Sequence, residues 1–366
     1  MLNITKPTLL LDEKKCRNNI KRMSEKFRAN NITFRPHFKT HQSLQIAKWY
    51  KKEGVKEITV SSVSMASYFA NDGWMDITIA FPVNLLEVDE INRLAKLVNL
   101  GILISDPQII SQLINLLDSN VIVWIEVDTG YHRSGFQVEN TKLIKRTIEN
   151  LQSADHIQLK GFLSHTGNTY HASSPEEIKQ LIRDSVFKLN KLRDQLSNSF
   201  PNLLVSLGDT PSFSILNKFS RIDEGRPGNF VFYDIMQYQL GACSIEEIAV
   251  ALVCPIVAKY PERGEIVIYG GAVHFSKEFL EENENLKNFG RVVRLDQAGW
   301  HDTGNENYLS GISQEHGIVK LNKQMMEEVA VGDLIGILPI HSCLTASTMK
   351  SFLTLDGKTI DHMEGV

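Results

Sequence analysis

The chain has 366 residues, of which 42 % are apolar and 22 % charged, and a formal net charge of −4. That length holds one large α/β barrel with a smaller domain, or two medium domains, and the evenly scattered charge excludes the basic face of a nucleic-acid binder. The longest apolar run, Ala249 to Ala258, contains Pro255 and is too short to span a bilayer.

Short β-branched runs alternate with segments of helical spacing. Thr8–Leu11 comes first, followed by a polar helix ending near Asn30. Then come Ile32–Arg35, Ile58–Ser61, Ile77–Phe81, Ile102–Ser105, Val121–Asp128, Ile157–Ser164, Leu203–Leu207 and Arg221–Glu224. Helices are expected between them over Leu85–Val98, Pro107–Leu117, Glu139–Leu151 and Pro175–Leu196. The last opens on Ser174-Pro175-Glu176-Glu177, an N-cap, a first-turn proline and the Glu of a capping box. This rhythm predicts a parallel sheet, and eight strands counted from Ile32 are the number that closes a (β/α)8 barrel. After about Val231 the rhythm changes to strands joined by turns: Ile248–Lys259, Glu265–Tyr269, Gly290–Leu295, Gly317–Lys320 and Asp333–Leu338. The expected architecture is α/β: an N-terminal (β/α)8 TIM-like barrel over 12–235, and a mostly-β C-terminal domain over 236–366 joined by 1–11. No basic start with an apolar core marks a secretory signal, and Cys16, Cys243, Cys254 and Cys343 form no CxxC pair or disulfide framework. A cytoplasmic protein is expected.

Reactive groups of such a barrel sit at the C-terminal ends of its strands, which selects a few segments. Lys39 follows the first barrel strand, beside Arg35, His37 and His41. Burial and nearby positive charge would favour its neutral, nucleophilic amine; the alternative is a surface lysine in a basic loop. Glu126 to Gly135 brings a carboxylate, a glycine turn and Arg133, which either donates to a ligand oxygen or pairs with Asp128. Ser206 to Ser212 runs from a strand into a helix: Gly208 permits a tight turn and Thr210 can cap, giving an anion site or an ordinary βα turn. Asp223 to Asn229 either orders the mouth of the site or makes the sharp turn into the second domain. Ile340-His341-Ser342-Cys343 follows a strand, and if extended it points His341 and Cys343 to one side, where they could hold Zn²⁺; a buried structural cysteine is the alternative.

Taken together, RPHFKTH, EVDTGYHRSG, SHTGNTYH, SLGDTPS, DEGRPGNFVFYD and PIHSC resemble, in order and across nearly the whole chain, the D-serine dehydratase and D-threonine aldolase branch of the alanine-racemase-like pyridoxal-phosphate (PLP) enzymes. The resemblance implies a Schiff base on Lys39, Arg133 at the cofactor ring, Tyr170 near the pyridine nitrogen, and Gly208 and Thr210 at the phosphate. It also implies a metal, zinc by the thiolate, on His341 and Cys343, and a homodimer. One stretch departs from the pattern, Gly270 to Lys277, and leaves the roles of His274 and Lys277 open.

The activity implied is a metal-assisted lyase acting on a β-hydroxy D-amino acid, with the metal as Lewis acid on the β-hydroxyl. A dehydratase would convert D-serine to pyruvate and ammonia. An aldolase would split D-threonine into glycine and acetaldehyde, with His171 or His165 as base. The HxC spacing leans to the dehydratase. An amino-acid racemase without a metal and a PLP carrier without turnover are the competing readings. No nucleic-acid or membrane partner is expected.

Overall fold

A computed structural model describes residues 3–283 and 286–364. The chain folds as two units. The first takes in Arg22–Lys39 and Tyr50–Gly228. The second takes in Thr40–Trp49 and Asn229–Glu364 with the described part of Met1–Lys21.

Strand β1 (Thr8–Leu11) and helix α1 (Glu13–Ala29) open the chain. The first unit is built on eight parallel strands: β2 (Thr33–Phe34), β3 (Glu57–Val60), β4 (Asp76–Pro82), β5 (Asn99–Ile104), β6 (Val121–Asp128), β7 (Ile157–His165), β8 (Leu204–Gly208) and β9 (Glu224–Gly225). Their order is β2-β9-β8-β7-β6-β5-β4-β3. The ring closes where His37, just past β2, bridges Thr59 of β3 in parallel, and Thr59 N–H donates to the Pro36 carbonyl at 2.9 Å.

Strand alternation prepares the site. Leu103, Trp124 and Leu163 form one buried cluster with Ile122 and Leu204 packed against it. Two residues further along the same strands, and so on the same face, lie Ser105, Glu126 and His165. An apolar layer is thus followed by a polar one. On the outside, helix α2 (Pro175–Leu196) starts where the Ser174 hydroxyl accepts the Glu177 N–H, and it buries Ile178, Ile182, Leu189, Leu192 and Leu196.

Arg35 is buried between two carboxylates, 2.6 Å from Glu224 and 2.5 Å from Asp76. Its charge is therefore taken up within the barrel, correcting the expectation that it supplies positive charge beside Lys39.

In the second unit, β10 (Val250–Tyr260), β11 (Glu265–Tyr269), β12 (Gly290–Asp296), β13 (Gly299–Asp302), β14 (Tyr308–Ile312), β15 (His316–Lys320) and β16 (Leu334–Pro339) are antiparallel. The order β11-β15-β14-β12-β16-β10 closes on itself through β10–β11 pairing, while β13 pairs with β12. The leading strand joins this unit, as the sequence allowed: β1 runs antiparallel to β10 with Thr8 opposite Val253. Among the described residues, no helix is long and apolar enough to cross a membrane.

Candidate functional site

Lys39 is displayed by its neighbour. Phe38, in the 3-10 turn Phe38–Thr40, is fully buried and packs edge-on against Phe69 and Trp74, with ring centroids 5.0 and 5.1 Å away. With Phe38 anchored inward, Lys39 stands exposed at the barrel mouth, and its N–H donates to His37 Nδ1 at 3.3 Å.

Two histidines flank the mouth in neutral form. Burial, and then the charge of Lys39, Arg226 and Arg133, hold His37 well below the usual imidazole range. Burial, and then Lys39 and Arg133, push His165 down to about 3. His37 is therefore not the positive neighbour of Lys39 that its type suggests. Nor is His41, buried in the other unit and pushed down to about 3, chiefly by burial. Hydrogen bonding fixes the tautomers. His37 accepts on Nδ1, so its proton is on Nε2. His165 Nδ1 contacts the Gly208 carbonyl, which can only accept, so its Nε2 carries the lone pair.

Arg133 is presented by a loop tied to one carboxylate. Asp128 Oδ1 accepts the N–H groups of Gly130, Tyr131 and His132 at 2.8, 3.0 and 3.1 Å. The alternative of a loop salt bridge to Asp128 is not what forms, because Oδ2 goes to His132 and Gln137. The Arg133 guanidinium lies 5.4 Å from the Tyr131 ring centre. Tyr131 in turn lies over Gly167, where a Cβ would come within 2.4 Å of the ring.

The turn after β8 is a capped helix start. Asp209 Oδ1 accepts the Ser212 N–H at 2.6 Å, opening helix α3 (Thr210–Ile215). Thr210 Oγ1 accepts the Gly228 N–H at 3.2 Å, and its own N–H donates to the Tyr170 hydroxyl at 3.3 Å. Gly208 has a second reason to be glycine: a Cβ there would lie 2.9 Å from the buried Arg226 guanidinium. Arg226 donates to Ser206 Oγ at 2.8 Å and to the Ser164 carbonyl at 2.6 Å.

Lys39, Arg133, His165, Tyr170, Gly208 and Thr210 thus all belong to the barrel unit and line its strand ends. His171 stands exposed at the end of the turn Gly167–His171. Arg226 and Tyr131 were missed by sequence reasoning. An arginine in a strand-end turn reads as solvated, and only the glycine two residues beyond Ser206 hints that a large side chain lies beneath. Three cations beside two neutral imidazoles fit an anionic, phosphorylated cofactor, with Lys39 as the amine to hold it.

His341 and Cys343 lie in the second unit, and their local conformation differs from the extended one expected. Strand β16 ends at Pro339, His341 is the extended N-cap, and Cys343 is already inside helix α4 (Ser342–Met349). The helix starts there because the buried carboxylate of Asp234 accepts the Ser342 N–H at 2.9 Å. The two side chains still meet in a hydrogen bond. Although burial opposes charge on His341, that bond and the negative charge of Cys343, Asp234 and Glu278 hold its pKa up to about 9. Cys343 is 8 % exposed, with Thr40 Oγ1 3.2 Å and Asn229 Nδ2 3.4 Å from its sulfur. An imidazole and a thiol in contact amid negative charge suit a soft divalent cation such as zinc. Among the described residues, no three or more His, Cys, Asp or Glu side chains gather around one point.

His274 acts within its own turn: Nδ1 accepts the Gly271 N–H at 3.2 Å, and the ring sits edge-on to Tyr269 at 5.7 Å. Lys277 is exposed.

The chain matches the family described as "Alanine racemase, N-terminal domain" over residues 11–235, and the "Putative serine dehydratase domain" family over 249–355. It is similar to D-serine dehydratase of Dictyostelium discoideum, at 28 % identity over 96 % of this chain and 93 % of that protein. It is also similar to D-threo-3-hydroxyaspartate dehydratase of Delftia sp., at 26 % identity over 100 % of this chain and 99 % of the relative. A solved cysteine-to-alanine mutant of a D-threo-3-hydroxyaspartate dehydratase, in the metal-free form, shares the fold with a TM-score of 0.91 at 24 % identity, covering 100 % of this chain and 99 % of that one.

Proposed function

For a chain that belongs to the alanine racemase N-terminal domain family, we propose the activity of a PLP- and metal-dependent lyase on β-hydroxy D-amino acids, with D-serine dehydration to pyruvate and ammonia as its reaction. The observation that carries this reading is Lys39 at a strand end, in a site where burial, and then the cations, hold His37 and His165 neutral. Supporting it are the names of the relatives, both dehydratases, and the metal-free form described for one such enzyme's mutant.

Bound through Lys39, PLP supplies an electron sink for the charge that develops at the substrate's Cα. The chain's own residues do the rest. Lys39 would hold the cofactor and, with its amine free, would take the Cα proton on Nζ. Arg133 would donate to a cofactor oxygen and Thr210 and Gly208 would form the turn for its phosphate; Tyr170 braces that turn, its hydroxyl accepting the Thr210 N–H. Arg226 keeps positive charge beneath Gly208. His341 and Cys343 would hold the zinc, which supplies Lewis acidity toward a hydroxyl leaving group. Homodimerisation and a cytoplasmic location belong to the same reading.

D-threonine cleavage to glycine and acetaldehyde is the second reading. Hydrogen bonding leaves His165 Nε2 unprotonated at the mouth, but a pKa pushed down to about 3 makes it a weak base, which ranks this reading second.

The test is purified protein with its visible absorbance recorded, given D-serine, D-threo-3-hydroxyaspartate or D-threonine, with and without EDTA. The expected result is a yellow protein forming pyruvate from D-serine in an EDTA-sensitive way. Oxaloacetate from the hydroxyaspartate alone would keep the dehydratase and change its substrate. Acetaldehyde from D-threonine would move the assignment to the aldolase. A racemase would interconvert enantiomers and ignore EDTA. No colour after PLP is added would overturn the cofactor assignment.

A further inference from the structure

Next to Cys343 stands an amide with one end satisfied and the other not. Asn229 is 5 % exposed; its Nδ2 donates to Asp234 Oδ2 at 2.6 Å, and its second N–H faces Ser342 Oγ at 3.2 Å and Cys343 Sγ at 3.4 Å. Its Oδ1 is buried and has no hydrogen-bond partner. The orientation is dictated by chemistry, since a carboxylate oxygen needs a donor and only the amino end of the amide can supply one. Turning the amide over would set Oδ1 against the Asp234 carboxylate and lose the 2.6 Å bond.

A buried acceptor left unmade costs about 1–3 kcal/mol, and native structures seldom keep one without a partner from outside the chain. The surroundings narrow what that partner is. Asp234 is held by the Ser342 and Gln237 N–H groups at 2.9 Å each and by the Asn229 amide, so it is not free to serve as a ligand itself. The amide that bears the unmade acceptor lies 2.6 Å from the Asp234 carboxylate and 3.4 Å from the Cys343 sulfur, with His341 two residues before that sulfur. That set attracts a cation and repels an anion.

Resting on the metal reading above, we propose that Asn229 is the third protein group of the His341–Cys343 metal site. Its amino end fixes the sulfur through a hydrogen bond, and its oxygen is the acceptor that the ion, or a water on the ion, takes up. Asp234 is the positioning residue behind it, holding Asn229 and the start of α4 in one orientation. Asn229 is thus to the sulfur what an orienting partner is to a metal-bound histidine.

The test uses the full chain with PLP bound and measures zinc affinity by competition with a chromophoric chelator. Wild type is expected to bind one zinc, and Cys343→Ser to bind it far more weakly. Asn229→Ala is expected to weaken zinc about 10–100-fold while the visible absorbance of bound PLP stays at its wild-type value; the melting temperature of the zinc-free protein falls, because the buried Asp234 loses its amide donor. Asn229→Ser keeps a hydroxyl that can donate and accept, and should recover a large part of the loss. Should Asn229→Ala fail to fold, the graded affinity of Asn229→Ser against wild type carries the test. Wild-type zinc affinity in the folded Asn229 variants would overturn the proposal while leaving the His341–Cys343 site standing. Absence of zinc binding in wild type would overturn the metal reading, and this inference with it.

Discussion

His165 in the barrel unit and His341 in the β unit are the same side chain driven in opposite directions. Burial and the cations Lys39 and Arg133 take His165 down to about 3. Against burial, Cys343, Asp234 and Glu278 take His341 up to about 9. Cations stand around the first imidazole, and a sulfur and carboxylates around the second. Burial is the larger cause for His165, as it is for His41 of the β unit, and it is the neighbouring negative charge that sets His341 apart from both.

The substitution with the largest expected effect removes one side of that contrast. Lys39→Ala should abolish the cofactor's visible band and lower lyase turnover by about 10³-fold or more, read by absorbance and pyruvate release. Cys343→Ser or His341→Ala removes the other side. Each should cost about 10²–10³-fold in turnover while leaving the cofactor band in place; a variant that kept full EDTA-sensitive activity would break the contrast. Gly208→Ala pushes a methyl group into Arg226. It should destabilise the fold by about 1–3 kcal/mol and weaken PLP binding, seen in the melting temperature and a cofactor titration.

The smallest effects are in pH dependence, and they have opposite slopes. An unfolded histidine titrates near 6.5. Because His165 is depressed to about 3 in the fold, its contribution is complete above about pH 6.5 and is lost as pH falls toward 3. Because His341 is raised to about 9, its contribution in metal-free protein is complete below about 6.5 and is lost as pH rises through 9. His165→Gln should flatten the acid limb of a melting-temperature profile, and His341→Gln the alkaline limb.

Much of this frame was legible in the sequence where local rules act alone. A β-branched apolar run sets β6 at Val121–Asp128, and the Ser174-Pro175 cap sets α2 at Pro175–Leu196, both with the bounds expected. Eight strands, and a leading strand that leaves them for the β unit, follow from the same patterns. The expected helices Leu85–Val98 and Pro107–Leu117 are shorter, each opening as a 3-10 turn. Strands Gly299–Asp302 and Tyr308–Ile312 went unread because their polar residues hide the alternation.

Long-range partners were what the sequence concealed. The HxC segment looks extended because α4 is started by Asp234, 108 residues upstream. Arg35 looks like a neighbour of Lys39 until Glu224 and Asp76 claim it. Asn229 reads as a turn residue, and nothing nearby in the chain announces the sulfur it faces.

The pairing of β1 with β10 also orders events in time. Thr8 finds its register opposite Val253, so Leu9, Leu10 and Leu11 leave the ribosome roughly 240 residues before their partners do. At about 5–20 residues per second this strand waits on the order of 10–50 s without a mate. By then every strand of the barrel has been synthesised, through Gly225. During that interval Thr8–Leu11 is an apolar strand with unpaired edges, open to wrong pairing until β10 is made.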